Sequence, residues 1–177
     1  MAMLALPAGV GFYVDQFHED DIRITSLRRN QSVVIPRCLP TLQGTGALEA
    51  GHHLWIAIEF PDRSGGNRIV FAREATMRNG TWRADKLTVG GANRSGETYV
   101  LTAVGVDGPT HGMLATTVID MFPDDGETLG PGDDLWRFSF RGYPTGAEPL
   151  DDISVTRNTK DHLTCAETAA TGQPKSE

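Results

Sequence analysis

The stretch Leu54-Trp55-Ile56-Ala57-Ile58-Glu59-Phe60 limits what this chain can fold into more than any other. Side chains alternate along an extended strand, so Leu54, Ile56, Ile58 and Phe60 share one face and Trp55, Ala57 and Glu59 the other. A strand with one wholly apolar face needs a sheet to lie in and a second layer to cover it. Similar β signals recur at residues 32–35, 68–72, 81–87, 98–106, 135–140 and 153–157. Residues 98–106 are the most β-prone run and are expected at the centre of a sheet, whereas 153–157 is expected to close an edge. Asn79-Gly80 tolerates the two positive φ angles of a type I′ turn, which predicts a tight reversal just before Trp82.

One segment is ambiguous. In residues 110–120 and just beyond, Leu114, Val118 and Met121 fit a helical stripe, while Met113, Ala115, Thr117 and Ile119 fit strand alternation. We read it as one short helix. Residues 123–134 carry turn chemistry and read as a surface loop, and residues beyond about 160 lack a sustained apolar pattern and read as a disordered tail. Many short strands with a single helix predict an all-β sandwich. The length of 177 residues fits one domain, placed at 21–158 between an N-terminal extension, 1–20, and the tail, 159–177.

Composition narrows the function classes. The net charge of −7, with 23 acidic against 16 basic residues, disfavours a nucleic-acid groove, and Arg28-Arg29 is too small a patch to follow a phosphate backbone. No segment has the apolar length of a membrane span. The start, Met1 to Val10, is apolar but no basic residue precedes Arg23, so it reads as mature sequence and the chain as cytoplasmic, or extracellular if a leader or anchor has been removed. Cys38 and Cys165 are far apart, the second in a polar tail, and are expected as reduced thiols rather than a disulfide. Arg far outnumbers Lys among the basic residues, as in high-GC bacterial genomes.

Cys38, then Trp55 on the next strand, then Tyr99-Val100-Leu101 follow the order of the Cys, core Trp and Tyr-x-Cys of immunoglobulin folds, with Leu101 in place of the second Cys. With the segments 48–55, 79–82 and 95–99, the chain from 20 to 157 resembles immunoglobulin-like or fibronectin-like sandwich domains of actinobacterial multidomain proteins. That resemblance implies an antiparallel sandwich, a Tyr99 hydroxyl bonded to nearby backbone, and a role as an interaction module without a disulfide between the sheets.

Candidate chemistry is sparse. Adjacent His52 and His53 point to opposite strand faces and cannot together grip one ion, and His18, His111 and His162 share no ligand spacing with each other or with a cysteine, so no metal and no cofactor are expected. The acidic pairs Asp124-Asp125, Asp133-Asp134 and Asp151-Asp152, with the run Glu19-Asp20-Asp21, match no calcium-loop pattern and read as solvated loop acids. There is no G-x-S-x-G elbow, and the Gly-rich segments lie between strands, where they turn the chain. No catalytic residue is therefore expected. The leading expectation is a non-enzymatic protein-interaction or assembly module in which Asp124, Asp125, Glu127, Asp133 and Asp134 steer a basic protein partner. The alternative is a carbohydrate- or small-ligand-binding module with Trp82 and Trp136 as an aromatic platform, Trp55 being read as core.

Overall fold

The computed structural model describes residues 21–28, 32–61, 65–91, 94–121, 139–161 and 163–171. Among them the strands are β1 Arg23–Ile24, β2 Val33–Ile35, β3 Cys38–Thr45, β4 His53–Pro61, β5 Asn67–Glu74, β6 Thr76–Arg78, β7 Thr81–Thr88, β8 Thr98–Val106 and β9 Ala147–Arg157. The helices are α1 Gly108–Met121 and α2 Cys165–Thr171. The fold is all-β with little helix, in two sheets ordered β1-β3-β7-β6 and β2-β9-β8-β4-β5. Every pairing is antiparallel except that of β2 with β9. No helix among the described residues is long and apolar enough to cross a membrane.

The sheets pack face to face through the residues that the alternation on β4 singles out. Leu54, Ile56, Ile58 and Phe60 meet Leu42, Trp82, Ala84 and Leu87 of the four-stranded sheet, with Tyr99 and Leu101 of β8 beside them. Each fully buried Leu or Ile there contributes roughly 1.5–3 kcal/mol. Strand β8 is central in its sheet, as its composition predicts. The β6–β7 reversal is the expected one: Arg78 pairs with Thr81, and Asn79 and Gly80 take φ of 50° and 70°. Gly44 is required by a close approach, since a Cβ there would overlap the Arg23 carbonyl and the Trp82 indole.

Four expectations are corrected. Trp55 is buried, but not between the sheets. It lies on the outer face of the five-stranded sheet with Ala57, Phe71, Val104 and Val106, under Leu114 of α1. The large indole between the sheets is Trp82, whose Nε1–H donates to the Thr45 carbonyl at 3.1 Å. Second, β9 begins at Ala147 and is an interior strand, and the sheet edge belongs to β2. Asp151 is buried within β9 and accepts the Ile24 N–H at 2.7 Å, while Asp152 is exposed on the same strand, so Asp151-Asp152 is no loop pair.

Third, Cys38 and Cys165 form a disulfide, with Cα atoms 4.7 Å apart. Fourth, the region read as a tail contains α2, and a Thr164-x-x-Glu167 capping box starts that helix. The Thr164 N–H donates to Glu167 Oε2 at 2.6 Å and the Glu167 N–H to Thr164 Oγ1 at 3.2 Å. The Thr164 backbone and then its side chain, with Arg37 adding to them, hold the Glu167 carboxyl below its ordinary range. A polar helix with one buried face needs little apolar periodicity when a covalent bridge docks it, which is why composition misread it.

Candidate functional site

One corner of the sandwich brings two histidines and a glutamate together. The antiparallel register places His53, which opens β4, opposite Val106 at the end of β8, and Trp55 opposite Glu74 at the end of β5. Helix α1 begins just past β8, so its first turn sits over the same corner. Asp107 fixes that turn: its Oδ1 accepts the Thr110 N–H and its carbonyl accepts the His111 N–H, each at 2.8 Å. Contacts from Thr110, its side chain first and then its backbone N–H, hold the Asp107 carboxyl below the usual carboxylate range.

His111 thereby comes to lie on His53. The two imidazoles stack with centroids 3.6 Å apart and planes 4° from parallel. Glu74 Oε1 meets both, at 2.9 Å from His53 Nδ1 and 3.8 Å from His111 Nδ1. Below them the Trp55 indole donates to His111 Nδ1 at 3.2 Å. An indole N–H can only donate, so this contact makes Nδ1 the unprotonated nitrogen of His111. Trp55 stands edge-on to Phe71, which in turn meets Phe140 and Tyr143 edge-on, giving the corner a rigid aromatic floor.

His52 points away from this group, into a cleft of about 510 Å³ lined by Leu48, Glu49, Asp107, Glu148 and Leu150 among others. The strand argument that His52 and His53 face opposite ways therefore holds. Ligand spacing within a segment does not reveal the partner that His53 finds on another element. No short motif connects His53, Glu74 and His111, and only the register of β4 with β5 and β8 joins them.

No family model, curated protein or solved structure matches the chain. The site is thus read from its own geometry. The five loop acids Asp124, Asp125, Glu127, Asp133 and Asp134 lie outside the described residues, as do Trp136, His18 and His162. Trp82 is 2% exposed and presents no ring face to a ligand. The described surface does offer a different feature: Val34, 60% exposed, on the edge strand β2.

Proposed function

We propose that this chain is a non-enzymatic β-sandwich module that binds another protein through the β2 edge. The observation that carries the reading is the contrast between Trp55 and Trp82, both buried, and Val34, which is 60% exposed on an edge strand. A sugar-binding face requires exposed aromatic rings, whereas an apolar residue beside unpaired backbone is what an incoming strand pairs with. Among the described residues no strand lies on the outer side of β2. The immunoglobulin-like form of the sandwich is supported by the Tyr99 hydroxyl, 3.4 Å from the Arg94 carbonyl, and weakened by the placement of Trp55 outside the intersheet core. The Cys38–Cys165 bridge favours work in an oxidising compartment over the reducing cytoplasm. The net charge of −7 favours a basic partner.

The test places a photo-crosslinking amino acid at Val34 in the full chain and, as control, at Arg78 on the other sheet. The reading expects one discrete protein adduct from position 34, weakened as salt rises, and none from position 78. An equal or empty pattern at the two positions overturns it, as does binding to a glycan array at micromolar affinity.

A further inference from the structure

The geometry points to a divalent metal site formed by His53, Glu74 and His111, selective for a late first-row cation such as Zn²⁺. These three residues each bring one ligand atom, and the atoms lie within 4.8 Å of one another. Around a tetrahedral ion, ligands at about 2.0–2.1 Å stand roughly 3.4 Å apart. The Glu74 oxygen, at 2.9 Å from one imidazole nitrogen and 3.8 Å from the other, brackets that spacing, and because an ion lies in the plane of each imidazole that binds it, the stacked rings must turn out of parallel to share one.

Donor chemistry sets the class of ion. Two imidazoles and one carboxylate suit zinc, copper or nickel, while calcium and magnesium prefer all-oxygen shells of six or more ligands. The Trp55 indole now occupies the lone pair on His111 Nδ1, so His111 takes an ion only by turning its ring away from that hydrogen bond. His53, Glu74 and His111 keep 37%, 43% and 24% of their side-chain surface open, which gives the ion a path in and leaves its fourth position to water. The support is rigid: β4 is paired on both sides, His53 with Val106 of β8 and Trp55 with Glu74 of β5, the first turn of α1 is capped by Asp107, and Trp55 beneath is 3% exposed. With the backbone elements fixed, only side-chain rotation is left to complete on binding.

Calorimetric titration of the full oxidised chain with ZnCl₂, in buffer free of thiols, tests the site. One equivalent is expected to bind at micromolar Kd. His53→Ala, His111→Ala and Glu74→Gln should each weaken binding by about tenfold or more, since each removes one of three ligands, while His52→Ala should bind as the parent does. Glu74→Gln keeps the size of the side chain and carries the decision if a histidine variant fails to fold. A parent Kd weaker than about 1 mM overturns the proposal. So does equal loss in His52→Ala, tighter binding of calcium than of zinc, or zinc binding that Glu74→Gln leaves unchanged.

Discussion

Trp55 shows how much one side chain can settle. Its indole fills the space between the five-stranded sheet and α1, and its N–H orients His111. Trp55→Ala therefore removes a large buried ring and should cost about 3–5 kcal/mol in chemical denaturation, with a loss under about 1 kcal/mol showing the ring to be dispensable. That Trp55 is buried was legible from its place in an apolar strand. Which layer it enters was not, because both faces of β4 are buried and a period of two distinguishes the faces without naming either as inner. The same limit hid the histidines. His53 could be seen as a candidate, but Glu74 and His111 are brought to it by strand register and by the cap on α1, neither of which is written in local spacing.

At the scale of elements, those with strong alternation or turn chemistry could be read directly: β4, β7, β8 and the β6–β7 turn. Strand β3 could not. Pro40 interrupts its pattern, the ladder with β7 pairs Leu39 and Thr41 but omits Pro40, and the buried positions Leu39, Leu42 and Gly44 do not alternate. Helix α2 was equally obscure, since a seven-residue helix has too few turns to show a period. Its attachment is covalent, and a bridge spanning 127 positions restricts the unfolded chain severely. In the chain-entropy account, reduction of Cys38–Cys165 should lower stability by roughly 4–5 kcal/mol. Urea titration with and without reductant measures this, and a difference below about 1 kcal/mol would show that the bridge contributes nothing.

Across the whole molecule, two phenols couple stability to alkaline pH. Burial first, then the Glu97 carboxylate, pushes Tyr99 up to about 12. Burial likewise pushes Tyr143 up to about 12, and its hydroxyl donates to Glu59 Oε1 at 2.8 Å. In the unfolded chain these groups lose their protons near the ordinary value of 10.0. The folded state then holds more protons, so the stabilisation is complete below that value and is lost as pH rises towards 12. Denaturation midpoints followed through this window should fall less steeply in Tyr143→Phe than in the parent, and an unchanged slope would show that the phenol does not titrate differently in the two states. The pairing of β2 with β9 has a consequence of another kind, for the order of events in time. The parallel ladder joins Val33 to Val155, the bridge joins Cys38 to Cys165, and Asp151 holds the Ile24 N–H, so three separate links tie the beginning of the fold to its end. A nascent chain leaving the ribosome can form the β1–β3, β3–β7 and β4–β5 ladders early, yet β2 has no partner until β9 emerges. Closure is then a late event with a large loop to gather, which places the folding of this chain among the slow, non-local topologies and leaves the β2 segment open to a chaperone until β9 has been made.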